Sequence, residues 1–402
     1  MDHIAIIGAG QAGATLAETL RRDGYDGRLT LWGEESDLPY QRPPLSKGYL
    51  LGEVERERLH LRPRAFWEEH GVELRTSTRV ERIDVRARTL EHGDGTERWD
   101  ALVLATGARA NRLPDRCTGG LPGAHVIRTL GDIDRLRPEM RAGRRLLVVG
   151  GGYVGLEASA VARKLGLEVT ICELAVRLLS RVACEATAEW FRALHRAHGV
   201  EIREGVGLDR LEGDGRIERA HLTDGAAIDV DVVIAGIGAR PDTALAEAAG
   251  IAVADGIVVD DRGRASAPGI WAAGDCCSFP WRGGRIRLES VPHAIHQAET
   301  VARNILGGDE PYRATPWFWS DQYDVKLQIA GLGAGAADVV VREGSDIPGG
   351  RSHWYFRDNT LLAVDAMNDP RAYMVGKRLI EAGRSPDPAA VADTARPVKS
   401  FL

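Results

Sequence analysis

Two glycine-rich segments constrain this chain more than anything else in it. Gly8-Ala9-Gly10-Gln11-Ala12-Gly13 follows the apolar run Ile4-Ala5-Ile6-Ile7, and Gly150-Gly151-Gly152-Tyr153-Val154-Gly155 follows Leu146-Leu147-Val148-Val149. Runs this continuously apolar predict strands buried on both faces, as in a parallel sheet covered by helices. A helical stretch comes next in each copy, Ala12–Asp23 and Val154–Leu165. A second strand then ends in acid, Leu29–Trp32 before Glu34 and Glu35, and Glu168–Ile171 before Glu173. In such a turn the first glycine permits the tight exit from the strand. The second lets the backbone approach a pyrophosphate, and the third brings the helix onto the sheet. The helix aims its unpaired N–H groups at the phosphates, and the acid accepts from a ribose hydroxyl. One such fingerprint is weak, since a glycine-rich turn needs no ligand. Two, each between strand and helix and each with its acid, predict two dinucleotide-binding units.

Two dinucleotide sites in one chain point to a flavin and a nicotinamide, because hydride transfer needs a donor and an acceptor. Ala101–Leu104 leading to Ala105-Thr106-Gly107, and Ile270-Trp271-Ala272-Ala273-Gly274-Asp275, read as further strand ends of the first unit. The second fingerprint lies between them, so the nicotinamide unit is expected to be inserted into the flavin unit. The fold class is α/β: two Rossmann-like dinucleotide-binding domains plus a C-terminal α+β domain rich in aromatic residues. The expected boundaries are residues 1–112 and 240–315 for the FAD-binding domain, 113–239 for the NAD-binding domain and 316–402 for the last. Gly8, Gly10 and Gly13 are assigned to FAD, and Gly150, Gly152, Val154 and Gly155 to the nicotinamide nucleotide. Glu173 lies about 20 residues beyond its fingerprint, the place of a ribose-binding acid, where an NADP site favours a basic residue. NADH is the expected nucleotide, although Arg177 and Arg181 lie a little further on.

Two residues carry candidate chemistry. Lys47 follows Pro43 and Pro44, which restrict the backbone, so its ammonium can be held in a fixed place, and a cation near flavin N5 and the N1–C2=O edge would stabilise the negative charge that reduction creates. A surface lysine at a turn is the bland alternative. Glu157 sits one turn into the second nucleotide-binding helix and is placed on the nicotinamide side. Its plain reading is an acid complementing the helix dipole. Asp275, after Ala272-Ala273-Gly274, is positioned to accept from a ribityl hydroxyl or to cap the following segment.

The remaining composition narrows the class. A net charge of −6 over 402 residues argues against nucleic-acid binding, which needs a basic footprint. Five scattered cysteines, odd in number, read as a reducing compartment. The chain enters a strand almost at once and has no apolar run of about 18 residues. The expectation is therefore a cytoplasmic protein with no membrane segment. His293 and His296 at helical spacing lack a third ligand, so no metal is expected. Adjacent cysteines make a strained bridge, and a dithiol relay through Cys276 and Cys277 is rejected.

Leu38-Pro39-Tyr40-Gln41-Arg42-Pro43-Pro44-Leu45-Ser46-Lys47, Ala105-Thr106-Gly107-Ala108, Gly238-Ala239-Arg240-Pro241, Ala273-Gly274-Asp275, Glu289-Ser290-Val291-Pro292 and Phe318-Trp319-Ser320-Asp321 carry a resemblance over essentially the whole chain. They resemble the FAD-dependent ferredoxin reductases of oxygenase systems, the putidaredoxin reductase and biphenyl dioxygenase ferredoxin reductase family, a group similar to apoptosis-inducing factor. The resemblance implies a glutathione-reductase-like fold and NADH-to-FAD hydride transfer. It also implies an iron–sulfur ferredoxin of the 2Fe–2S type as partner. Ala12 and Glu34, with Glu35 beside it, would contact the nucleotide half of FAD. Arg42, Lys47, Val80, Arg128, Asp275, Val291 and Trp319 would complete the flavin site, Val80 on the short stretch Thr78-Arg79-Val80 alone. Gly238 would belong to the nicotinamide site, and Lys47 and Glu157 would form the family's Lys–Glu pair near the reacting ring atoms.

Rival functions on the same scaffold are a rubredoxin or monodehydroascorbate reductase, an NADH oxidase, or a redox-sensing interaction protein. Arg371, Lys377, Arg378 and Arg384, with Tyr373 as an aromatic neighbour, form the expected basic docking patch for an acidic partner.

Overall fold

A computed structural model describes residues 1–93, 95–344 and 349–402. The chain divides into two compact units, each built from three segments. The first comprises Met1–Arg42, Glu55–Arg109 and Arg240–Pro316; the second comprises Pro43–Val54, Ala110–Ala239 and Trp317–Leu402.

In the first unit a five-stranded parallel sheet runs in the order Ile270–Ala272, Ala101–Leu104, His3–Ile7, Arg28–Trp32, Val72–Arg75. The first fingerprint's strand is central, with Ile6 opposite Leu31 on one side and Val103 on the other. Side chains alternate between faces along a strand, so Ile4, Ile6, Leu29, Leu31 and Val103 meet Leu16 and Leu20 of the helix Gln11–Arg22 and Val301 of the helix Val291–Ile305. Ala5, Leu102, Leu104 and Ile270 face the other way, against Trp32, Trp99 and Phe279. Val80 opens a separate antiparallel sheet of Val80–Asp84, Thr89–His92 and Gly95–Arg98.

The second unit repeats the theme. Its parallel sheet runs Glu201–Glu204, Glu168–Glu173, Arg145–Val149, Val232–Ala235, Ala124–His125. The same unit holds the C-terminal α+β portion, a five-stranded antiparallel sheet ordered Trp317–Gln322, Val325–Gly331, Thr360–Met367, Arg351–Arg357, Asp338–Glu343. The helix Pro370–Glu381, capped by the Asp369 side chain, packs Ala372, Val375 and Leu379 against Trp354, Val364 and Ala366 of this sheet. Tyr373 lies in that same core, which corrects its expected place in an exposed docking patch. Its ring faces Trp317 at 6.4 Å, because it shares the inward stripe of the helix with Ala372 and Leu379.

Candidate dinucleotide sites and the Lys47–Glu157 pair

The two fingerprints have the same internal geometry. Gly8 adopts φ +116°, and a β-carbon there would sit 2.1 Å from the Ala105 carbonyl oxygen; one on Gly13 would sit 2.0 Å from that of Gly8. Around Gly10 nothing approaches within 4 Å. In the second copy a β-carbon on Gly150 would meet the Gly236 carbonyl oxygen at 2.5 Å, and one on Gly155 that of Gly150 at 2.4 Å. Gly152 has only a 3.9 Å neighbour. The outer glycines close the turn, and the middle one fronts open space where a pyrophosphate oxygen can come up to the backbone. Gly10 and Gly152 are also the N-caps of their helices, and neither helix has a side-chain cap or an acid in its first turn. Both N-termini are thus kept for an external anion, so the residues fit two dinucleotides.

In the first unit Glu34 pairs with Arg109 at 3.1 Å. Glu35 accepts from Arg42 at 2.7 Å and from the Tyr40 hydroxyl at 2.6 Å, so Arg42 is anchored beside the acidic strand end. Ala12 is buried next to Gly274, where a β-carbon would stand 2.9 Å from its own. That contact sets the Gly274-Asp275 turn against the fingerprint. Val80 is buried, and Val291 is half-buried at the first position of its helix.

In the second unit the Glu173 carboxylate accepts from the backbone N–H of Gly151 at 2.6 Å and of Ala175 at 2.7 Å. The acid therefore sits on the fingerprint itself. Arg177 pairs with Glu185 at 3.2 Å and donates to the Ala183 carbonyl at 2.8 Å. Val154 is exposed at the first turn of its helix, and Gly238 takes φ +87°. The Tyr153 ring lies 4.8 Å from Phe318, and its buried hydroxyl has no hydrogen-bond partner among the described residues. Arg128 and Trp319 are half-buried, Trp319 beside Trp317 at 5.6 Å.

Lys47 and Glu157 come together. The Lys47 ammonium lies 2.7 Å from the Glu157 carboxylate, which is almost wholly buried. Lys47 Nζ also reaches the Pro43 carbonyl at 3.3 Å, so the proline turn holds the cation as well as shaping the backbone. Glu157 accepts in addition from the hydroxyls of Ser46, at 2.5 Å, and Ser320, at 2.6 Å. Sequence reasoning passed over both serines. Yet Ser46 adjoins Lys47, and Ser320 lies inside the Phe318–Asp321 motif. Among the expected site residues, Lys47, Glu157, Arg128 and Trp319 belong to the second unit with the Gly150–Gly155 fingerprint. Ala12, Glu34, Glu35, Arg42, Val80, Asp275 and Val291 belong to the first.

All five cysteines are free; Cys276 and Cys277 are buried with their Sγ atoms 3.9 Å apart. His293 is buried, with Nδ1 at 2.8 Å from the Tyr312 hydroxyl. Among the described residues no group of three or more His, Cys, Asp or Glu is arranged to hold a metal. No helix among them is long and apolar enough to cross a membrane.

Residues 2–298 match the pyridine nucleotide-disulphide oxidoreductase family and residues 317–402 the reductase C-terminal family. The chain is 42% identical to the rhodocoxin reductase of Rhodococcus erythropolis, over 97% of this chain and 92% of that protein. It superposes with TM-score 0.96 and 37% identity on the ferredoxin reductase for the CYP199A2 system of Rhodopseudomonas palustris, covering 100% of this chain and 99% of that one. Against the reductase in the covalent putidaredoxin reductase–putidaredoxin complex the TM-score is 0.95 at 36% identity, covering 100% and 98%. With two anion-ready fingerprints, an α/β architecture and these likenesses over its whole length, the chain belongs to the FAD-dependent ferredoxin reductases of oxygenase systems.

Proposed function

We propose that this enzyme takes a hydride from NADH and delivers electrons through FAD to a small iron–sulfur ferredoxin of the 2Fe–2S type that serves an oxygenase. The observation that carries this reading is the ion pair between the half-buried Lys47 and the buried Glu157, whose carboxylate stands on the helix that leaves the second fingerprint. Bound FAD supplies the conversion of a two-electron donor into a one-electron source. The chain's own residues do the rest. The Gly8–Gly13 turn and Ala12 receive the FAD pyrophosphate, Glu34 and Glu35 its adenosine ribose, and Asp275 a ribityl hydroxyl. By the resemblance to the family, Arg42, Val80, Arg128, Val291 and Trp319 would hold the flavin. Gly150–Gly155, including Val154, and Gly238 receive the nicotinamide nucleotide, with Glu173 on its ribose. The orphaned Tyr153 hydroxyl at that helix start fits a ligand that brings polar atoms, because leaving it unpaired costs roughly 1–3 kcal/mol.

Lys47 would offset the negative charge that bound FAD gains on reduction, and Glu157 holds the Lys47 ammonium in a fixed place. The domains that follow are residues 1–112 with 240–315 for FAD, 113–239 for NAD and 316–402 for the C-terminal domain. Cys276 and Cys277 are free and sealed in the core, so this reading assigns them no part in a thiol relay. Five free cysteines support a reducing, cytoplasmic setting.

The test is single-turnover reduction of a fully flavinated Lys47→Met variant. Loss of one well-aimed electrostatic contact costs about 2–4 kcal/mol at the transition state, so reduction by NADH slows by roughly 30-fold or more. An unchanged rate overturns the assignment.

A further inference from the structure

We propose that Gln322 and His195 are positioning residues for the Lys47–Glu157 pair, joined with Ser320 and Tyr323 in a one-way chain of hydrogen bonds whose donors all point toward the Glu157 carboxylate. The proposal rests on the reading of Lys47 and Glu157 given above.

The chain is continuous. The Ser320 hydroxyl lies 2.6 Å from Glu157 Oε1, and Gln322 Nε2 lies 3.1 Å from the Ser320 oxygen. His195 Nε2 is 2.8 Å from Gln322 Oε1, and the Tyr323 hydroxyl is 3.2 Å from His195 Nδ1. Elementary donor–acceptor rules fix every direction from its inner end. An ionised carboxylate, paired with Lys47, only accepts, so Ser320 donates to it. Ser320 has then spent its one proton, and its oxygen accepts from the Gln322 amide. With Nε2 so used, Gln322 offers Oε1 to His195, which must carry its proton on Nε2. Nδ1 is left as an acceptor, and Tyr323 donates to it. Burial pushes the His195 imidazole down to about 4, which keeps it neutral and able to play both parts.

Strand and helix geometry explain how the chain is built. Phe318, Ser320 and Gln322 share one face of the strand Trp317–Gln322, because side chains two apart point the same way. Phe318 meets Tyr153 on that face, Ser320 meets Glu157, and Gln322 meets the helix Glu185–Ala197 through His195. Ser320, Gln322 and His195 are all but fully buried. Apolar side chains would fill such positions at lower cost, so three linked polar groups need a purpose. At the outer end Tyr323 is half-buried and stacks on the exposed His198 at 3.7 Å. The charged or titratable groups facing the chain are Lys47 and Tyr153 at its inner end and His198 and Arg163 at its outer end. Successive donors aligned in one direction polarise one another, which strengthens the last bond to Glu157. That bond holds the carboxylate, and the carboxylate holds Lys47.

Nitrogen-15 histidine NMR of the oxidised holoenzyme tests the direction without any mutation. The expected result is a neutral His195 with its proton on Nε2 at pH 7. A proton on Nδ1, or an imidazolium at pH 7, overturns the proposal. Stopped-flow reduction tests the consequence. Gln322→Leu and His195→Phe are expected to lower the first-order reduction rate by about tenfold while leaving the NADH dissociation constant within twofold. His195→Gln, which places an amide donor near the position of Nε2, recovers most of that loss. Wild-type rates in correctly folded Gln322→Leu, with Lys47→Met slow, sink the chain but not the pair. A wild-type rate in Lys47→Met sinks both.

Discussion

The α-carbon of Gly8 packs so closely against the carbonyl of Ala105 that a single methyl group there would overlap it, at 2.1 Å. Two positions on, Gly10 faces open space. The same substitution should therefore fail in two different ways. Gly8→Ala, also strained by its positive φ, is expected to give misfolded protein. Gly10→Ala folds with a near-normal melting temperature but retains FAD about tenfold or more less tightly, read from the visible spectrum after gel filtration. Gly152→Ala keeps its flavin and raises the KM for NADH instead.

Glu173 is held on the second fingerprint by the N–H groups of Gly151 and Ala175, the place proposed for the ribose of NADH. A hydrogen bond to a charged group is worth about 1.5–3 kcal/mol, so Glu173→Ala should raise the KM for NADH by roughly tenfold or more. Removing the carboxylate also removes its repulsion of a 2′-phosphate, so the preference over NADPH narrows. Equal use of NADH and NADPH by the unaltered enzyme would refute the assignment.

Acid should destabilise the fold through its buried histidines. His195, His293 and His353 are buried, and burial lowers each imidazole to about 4. A folded pKa below the unfolded value means that the unfolded chain binds protons first as pH falls. Their stabilisation is full above about 6.5 and is lost between 6.5 and 4, on the order of 3 kcal/mol for each. Asp365 works in the opposite sense. Burial raises its carboxyl to about 6 despite hydrogen bonds from Tyr355 and Thr187, so its contribution is present at low pH and lost as pH rises through 6. Three histidines outweigh one aspartate. The melting temperature should fall as pH goes from 6.5 to 4.5, and fall more steeply in Asp365→Asn.

Partner binding should depend on salt. The chain is net negative at −6, so an acidic ferredoxin needs a local basic patch to dock. Arg378 is exposed on the helix Pro370–Glu381, whereas Lys377 is drawn toward Glu381 at 3.8 Å and over the Trp317 ring at 5.2 Å. Arg378→Glu is accordingly expected to slow ferredoxin-dependent turnover more than Lys377→Glu. Raising ionic strength, which shortens the Debye length from about 8 Å, should do the same while NADH reduction of the flavin is untouched. Turnover indifferent to both changes would place the docking site elsewhere.

Local constraints made the dinucleotide turns legible. A glycine at φ +116° is what the turn between a buried strand and a helix demands, and the acid that ends the next strand follows at the spacing of the motif. The contact between Lys47 and Glu157 was legible through the family resemblance, which pairs a lysine and a glutamate at these positions. Their partners were not. Ser46 and Ser320 acquire meaning only when the fold sets them on one carboxylate, and nothing near His195 in sequence announces Gln322. Tyr373 is a different case. Its inward placement was present in the spacing of Ala372, Val375 and Leu379, but the surrounding basic residues drew attention to the wrong face.

The sheet of the first unit has a consequence for how the polypeptide is made. Ala101–Leu104 pairs with His3–Ile7 early in synthesis, yet its other edge is covered only by Ile270–Ala272. While the ribosome produces the intervening residues, a nascent chain carries an apolar strand with one unpaired edge, the kind of surface that recruits neighbouring chains. The Gly8–Gly13 turn is already in place, but Gly274, which packs against Ala12, is not. Flavin capture would therefore wait until Gly274 has been made, about two thirds of the way along these 402 residues. Slow translation between those two strands should favour aggregation over assembly.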